Sequence, residues 1–169
     1  MAYDPFNDDN DEDFEDMDED AIREELRKED ERIEKLPVMK KAEEIVSLVD
    51  TLCDAMQADD DEKTEDSEKM MFRHMLEQMR GDSYILPAKI AGAEGGDLYS
   101  IRMENAVFIK KAASDIRSAT YSLGMISDVD KKYLEMLRNE IDVFKKLFVE
   151  WIKTFSKKND IDDGWGLWE

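Results

Sequence analysis

The sequence predicts an all-α protein, an antiparallel up-down four-helix bundle with an acidic N-terminal extension. Apolar residues recur at steps of three and four over four long stretches, which places them on one face of an α-helix. Pro37 suits the start of the first stretch, and Gly95-Gly96 interrupts the chain between the second and the third. A length of 169 residues is enough for one domain with a substantial core.

The amino-terminal extension holds most of the negative charge. Residues 1–35 contain seventeen acidic and five basic side chains, a net charge of −12 out of −20 for the whole chain. We expect 1–18 to be disordered in isolation, because like charges repel and the few aromatic residues cannot form a core. The aromatic residues set among acids also permit a second interpretation, a docking segment that folds on a partner. Residues 19–35 favour a helix through Glu/Arg and Glu/Lys pairs.

The first two predicted helices lie on either side of an acidic connection at 59–68. Helix one begins at Pro37 and continues to about Gln57. Helix two follows the connection, and we expect Pro87 inside it to cause a bend. The apolar stripe of helix one comprises Val38, Ala42, Ile45, Val49, Leu52 and Met56, and that of helix two comprises Met70, Met71, Met75, Met79, Ile85 and Ile90. Core filling is the preferred interpretation of these methionines, and an adaptable binding groove is the alternative.

The third predicted helix follows Gly95-Gly96, with Asp97 as its N-cap. Its periodic residues are Tyr99, Met103, Ala106, Ile109, Ala113, Ile116, Thr120 and Leu123. Gly124 is expected to end it in the left-handed conformation. The sequence Ser127-Asp128-Val129-Asp130 then resembles a capping box.

The fourth predicted helix has the widest apolar stripe, from Tyr133 to Phe155, and is followed by an aromatic, acidic tail. Two interpretations of the tail tryptophans, Trp165 and Trp168, stay open. They pack across the end of the bundle, or they insert into an adjacent subunit or a partner. We therefore divide the chain into an acidic arm at 1–35, the bundle at 36–158 and the tail at 159–169.

The cysteine content and the distribution of apolar residues indicate the cellular compartment of the protein. Cys53 is the only cysteine, so no internal disulfide can form, and its position on an apolar face indicates a buried thiol in a reducing compartment. No run of eighteen apolar residues is present, and the amino terminus lacks the pattern of a signal peptide. We expect a cytoplasmic protein that does not enter a membrane.

A family resemblance is carried by short motifs around the reversal between helices two and three. These motifs are Gln78-Met79-Arg80, Ile85, Pro87, Ile90-Ala91, Glu94-Gly95, Tyr99 to Ala106, and Tyr121-Ser122-Leu123-Gly124-Met125-Ile126-Ser127. They resemble the four-helix bundle proteins encoded in intervening sequences of bacterial large-subunit ribosomal RNA genes, to which the accessory variability determinant of diversity-generating retroelements is related. The resemblance covers about residues 36–156 and implies a bacterial protein with an antiparallel up-down bundle that can assemble as a homopentamer. It also implies that members with basic surfaces bind nucleic acid or a reverse transcriptase.

No set of residues in the sequence predicts catalysis, a metal site or a cofactor. His74 is the only histidine, and the Glu-x-x-His pairs of di-metal bundles are missing. We interpret His74 as a surface residue. Glu94, Glu104 and Asp82 are candidate interior carboxylates, which helix pairing or capping explains more simply than acid-base catalysis.

The sequence thus predicts a non-enzymatic four-helix bundle that acts as a homo-oligomeric scaffold or protein-interaction adaptor. We expect self-association, with a pentamer as one possibility, and a protein partner at the arm or the tail. The predicted interface residues are Phe144, Phe148, Trp151, Phe155, Trp165, Leu167 and Trp168. The alternative function is a nucleic-acid or reverse-transcriptase accessory protein that binds phosphate through a basic face of helix three, at Arg102, Lys110, Lys111 and Arg117.

Overall fold

The computed structural model describes residues 19–58, 67–158, 160–162 and 164–167. These residues form five α-helices and no strand, so the predicted all-α class is confirmed. The helices are α1 (Glu19–Glu34), α2 (Pro37–Ala58), α3 (Ser67–Glu94), α4 (Tyr99–Ile126) and α5 (Lys131–Ile152). The predicted disorder or docking role of 1–18 lies outside the described residues, and so do residues 59–66 of the acidic connection predicted at 59–68. Its last two residues, Ser67 and Glu68, belong to the first turn of α3 instead.

The first helix, α1, belongs to a separate unit, because internal contacts divide the chain between Glu34 and Lys35. Its surface carries the predicted ion pairs. Arg27 pairs with Glu24 and with Glu31, one turn away on either side. Such exposed pairs stabilise a helix by only about 0.2–0.5 kcal/mol each, so they favour α1 without fixing it.

The second unit contains α2 to α5 in a closed ring of contacts. The most extensive contact joins α3 to α4, and further contacts join α2 to α3, α2 to α5 and α4 to α5. The ring encloses an apolar core, as the helical periodicity predicts. Its largest fully buried side chains include Ile45, Leu76, Met79, Leu86, Ile90, Ile109, Ile116, Leu123, Leu137 and Phe144.

Polar pairs fix the neighbours in this ring. The Tyr84 hydroxyl donates to the Asp50 carboxylate across 2.7 Å between α3 and α2. Lys41 of α2 donates to Glu140 of α5 across 2.8 Å, and this bond raises the pKa of Lys41. Because each partner comes from a different helix, these bonds specify which helices lie side by side.

Three predicted helix ends are wrong. The N-cap of α4 is Leu98 rather than Asp97, and no side chain caps it. Gly124 lies inside α4, which continues to Ile126, so no left-handed residue ends the helix there. The predicted capping box does not form. Asp130 alone caps α5, and its carboxylate accepts from the backbone N–H of Lys132.

The predicted apolar stripes also extend too far at one end of the structure. Met70 and Met71, in the first turn of α3, are 63% and 55% exposed, so they do not fill the core. Tyr133, in the first turn of α5, is 55% exposed as well. Pro87 lies inside α3 as predicted. None of the helices in the described part of the chain is both long and apolar enough to cross a bilayer.

Candidate functional site

The predicted interface begins with a ladder of aromatic rings on α5 and just beyond it. Phe144, Phe148, Trp151 and Phe155 follow one another at steps of four, three and four, so their rings lie above one another on one face. The ring centroids of Trp151 and Phe155 are 4.8 Å apart in an edge-on arrangement. The Phe148 ring lies 6.3 Å from Phe144 and 5.8 Å from Trp151.

Burial divides this ladder into two pairs. Phe144 and Trp151 are 1% and 6% exposed, so within one chain they already belong to the core. Phe148 and Phe155 are half-buried. Only the second pair therefore has surface left for another molecule.

A buried polar network holds the end of this ladder. Glu94, the last residue of α3, is 8% exposed. Its carboxylate accepts the indole N–H of Trp151 at 2.8 Å and forms an ion pair with Arg102 of α4. The Arg102 guanidinium lies 4.1 Å from the centroid of the Phe155 ring. These contacts compensate the buried charge of Glu94 and join α3, α4 and α5 at one end of the second unit.

The chain beyond α5 returns to the first turn of α4. The Asp160 carboxylate accepts the backbone N–H of Ser100 at 2.9 Å, and this bond lowers the pKa of Asp160. The ammonium group of Lys157 lies 5.0 Å from the centroid of the Tyr99 ring. The tail is thus tied to α4 at a defined point.

Beyond Asp160 the tail exposes large apolar side chains. Trp165 is 79% exposed and Leu167 is 66% exposed, whereas Trp168 lies outside the described residues. Trp165 is therefore not buried across the end of the helices, which was one of its two interpretations. Gly164 and Gly166 have φ of 74° and 63°, values that favour glycine on both sides of this tryptophan.

The four basic residues of the predicted phosphate-binding face are mostly paired with carboxylates. Arg102 binds Glu94, and Lys111 binds Asp115. Arg117 donates to the Asp142 carboxylate across 2.6 Å and to the Arg138 carbonyl. Lys110 is exposed. Phosphate would have to compete with carboxylates for three of these four side chains.

The other titratable residues that the sequence analysis singled out are Cys53, His74, Glu104 and Asp82. Cys53 is fully buried, and burial raises the pKa of its thiol from 9.0 to about 11. His74 and Glu104 are exposed, and Asp82 is half-buried. Burial, followed by the nearby Asp115, raises the pKa of Asp82. Among the described residues, no group of three His, Cys, Asp or Glu side chains could hold a metal ion.

The sequence patterns did not locate one feature of the surface, a large cleft. A cleft of about 1040 Å³ opens where α2 and α4 end and α3 and α5 begin. We call it the methionine cleft, and its apolar lining includes Leu48, Met56, Met71, Phe72, Tyr133 and Met136. The sequence signal for it was the cluster of methionines at the start of α3, for which core filling was the preferred interpretation and an adaptable binding groove the alternative.

Comparison with known proteins adds no relative to this description. No family model matches the chain, and neither a curated protein nor a solved structure shows significant similarity to it.

Proposed function

We propose that residues 36–158 form an antiparallel up-down four-helix bundle that acts as a non-enzymatic homo-oligomeric scaffold or protein-interaction adaptor. Contacts between successive helices support the antiparallel arrangement, because residue numbers rise along one helix as they fall along the next. Between α2 and α3, Asp54 pairs with Arg80 and Asp50 with Tyr84. Between α4 and α5, Arg117 pairs with Asp142 and Arg138 donates to Thr120.

The exposed apolar tail is the observation that carries the proposed function. A side chain such as Trp165, left 79% exposed, gains from burial in a second molecule. Ile161 and Leu167 are 65% and 66% exposed along the same short segment. Ile101, which follows the Ser100 anchor of the tail, adds a side chain that is 48% exposed. Clustered exposed apolar residues are typical of protein–protein contacts.

The family resemblance supports the same proposal and adds a subunit count. A homopentamer would agree with the bundle proteins encoded in ribosomal RNA intervening sequences. The pairing of Arg102, Lys111 and Arg117 with carboxylates gives the nucleic-acid alternative no such support, so we do not propose it as a second function.

Native mass spectrometry of the full chain tests self-association. We expect a single homo-oligomer for the wild type and smaller species for the double variant Trp165→Ala/Leu167→Ala. Met70→Ala is the matched control, because Met70 is also an exposed apolar residue, at 63%, but lies on α3. A wild-type monomer at micromolar concentration, or equal masses for all three proteins, would contradict the proposal.

A further inference from the structure

The methionine cleft has the composition of a surface that binds an apolar partner. Side chains from α2, α3, α4 and α5 meet there, and several of them remain open to water. Met71 and Tyr133 are each 55% exposed, Ile126 is 47% and Met136 is 41%. Methionine is unbranched and polarizable, so a lining of Met56, Met71 and Met136 can adapt to side chains of different shapes.

The shape of the cleft favours a macromolecular segment over a small molecule. Sites for small molecules enclose most of the ligand, usually about 70–90% of its surface. Here four of the lining side chains are roughly half exposed, so much of the lining stays open to water. An amphipathic helix lays its apolar stripe into such a groove and keeps its polar face in water.

The charges beside the cleft specify the polar face of that helix. Glu68, Asp128 and Asp130 line the cleft together with one base, Lys69. In the described part of the chain, neither Glu68 nor Asp128 forms a salt bridge. A partner with Lys or Arg beside its apolar stripe therefore meets complementary charge.

The same charges disfavour the apolar segments of this chain as occupants. Residues 1–18 contain nine acids and no base, and the tail at 159–169 contains four acids and no base. Either segment, from the same or a second copy, would bring like charge to Glu68 and Asp128. Like charges brought together across an interface oppose binding.

We propose that the methionine cleft binds an amphipathic helix with a basic polar face, supplied by a different protein. The inference deepens the adaptor part of the proposed function and rests on it. Apolar residues at steps of three and four along the partner would contact Met71, Phe72 and Tyr133. Its basic residues would lie against Glu68 and Asp128.

Fluorescence anisotropy with labelled peptides and the full chain tests this assignment. The probe is a synthetic Leu/Lys peptide of about 18 residues, or five helical turns, with its leucines on one face. A scrambled peptide of the same composition keeps the charge and loses the apolar face. We expect the amphipathic peptide to bind at least about tenfold more tightly than the scrambled one.

Two adjacent methionines provide a matched pair of variants. Met71→Gln removes an apolar side chain from the cleft, whereas Met70→Gln changes an exposed methionine that does not line it. We expect Met71→Gln to weaken peptide binding about fivefold or more and Met70→Gln to leave it within about twofold. The double variant Glu68→Gln/Asp128→Asn should weaken binding and reduce its salt dependence. Glu43→Gln/Glu104→Gln makes the same change of net charge at exposed positions elsewhere.

Several results would overturn the proposal. These are equal binding of the amphipathic and scrambled peptides, no binding of either, or equal effects of Met71→Gln and Met70→Gln. A change in subunit count caused by Met71→Gln would show that a second copy covers the cleft. Mass reports self-association and anisotropy reports peptide binding, so failure of one can be told from failure of the other.

Discussion

The indole N–H of Trp151 donates to the carboxylate of Glu94 across 2.8 Å, although the two residues are 57 positions apart. The bond joins the end of α5 to the last residue of α3. Arg102 of α4 completes the network through its ion pair with the same carboxylate. Three helices thus share one buried acidic group, whose removal leaves a cation without its partner.

Glu94→Gln should destabilise the protein by about 2–4 kcal/mol, because the Arg102 side chain, only 16% exposed, would keep its charge without the carboxylate. Urea denaturation of the variant measures this loss. Glu104→Gln, at an exposed position on α4, should change the free energy of unfolding by less than about 0.5 kcal/mol. The double variant Glu94→Gln/Arg102→Met should recover part of the loss. Additive effects of the two substitutions would contradict the coupling.

The pH dependence of stability should contain a contribution from Cys53. Its pKa is about 11 in the folded protein and 9.0 when the thiol is exposed, because burial disfavours the thiolate. The folded state therefore holds its proton at a pH where the unfolded state has released it. This contribution to the free energy of unfolding is fully present below pH 9. It is lost progressively as the pH rises to about 11, where the loss reaches roughly 2–3 kcal/mol.

Cys53→Ala removes this titration, so urea midpoints at a series of pH values isolate it. Between pH 8 and about pH 11, the wild type should lose more stability than the variant. Parallel curves for the two proteins would mean that the thiol ionises equally in both states.

Two glycines inside helices should respond differently to substitution by alanine. A Cβ at Gly81 of α3 would meet no atom within 4 Å, so Gly81→Ala should stabilise the protein by about 0.5–1 kcal/mol through lower backbone entropy of the unfolded chain. A Cβ at Gly124 of α4 would lie 3.3 Å from Leu134, which is 1% exposed. Gly124→Ala should therefore gain less or destabilise. Thermal denaturation of both variants measures the difference, and equal shifts in Tm would contradict the close approach of α4 and α5.

Asp130 should contribute more to stability than Ser127, the residue with which the predicted capping box begins. Asp130 accepts from the backbone N–H of Lys132, whereas the Ser127 hydroxyl donates back to the Leu123 carbonyl. Asp130→Ala should cost about 0.5–2 kcal/mol, and Ser127→Ala should cost less. Urea denaturation compares them. A larger loss for Ser127→Ala would restore the capping box that the sequence predicted.

Helical periodicity was sufficient for the all-α fold class and for the approximate positions of α2 to α5. It placed Ile45, Met79 and Ile109 on buried helix faces, where they lie. The period of the apolar residues dictates which face is buried but not where burial stops. Met70 and Met71 continue the stripe of α3 beyond the point where neighbouring helices still cover it, and they are exposed.

Helix ends and charge pairs were less accessible to sequence reasoning, because they depend on tertiary neighbours. Gly124 lies inside α4, where an added Cβ would face the side chain of Leu134 of α5. Close packing of these helices, rather than a turn, therefore accounts for the glycine. The sequence predicted that basic residues of α4 could bind phosphate, yet Arg117 is paired with Asp142, 25 positions away. The methionine cleft likewise arises from four helix ends that no local pattern relates.

The anchor of the tail at Ser100 sets a distance. Ser100 lies in the first turn of α4, and Ile126 at the other end of α4 lines the methionine cleft. At 1.5 Å per residue, the 28 residues of α4 measure about 42 Å. The tail anchor and the methionine cleft therefore lie at opposite ends of α4. For the two binding surfaces that we propose, the length of α4 sets the spacing between the bound partners.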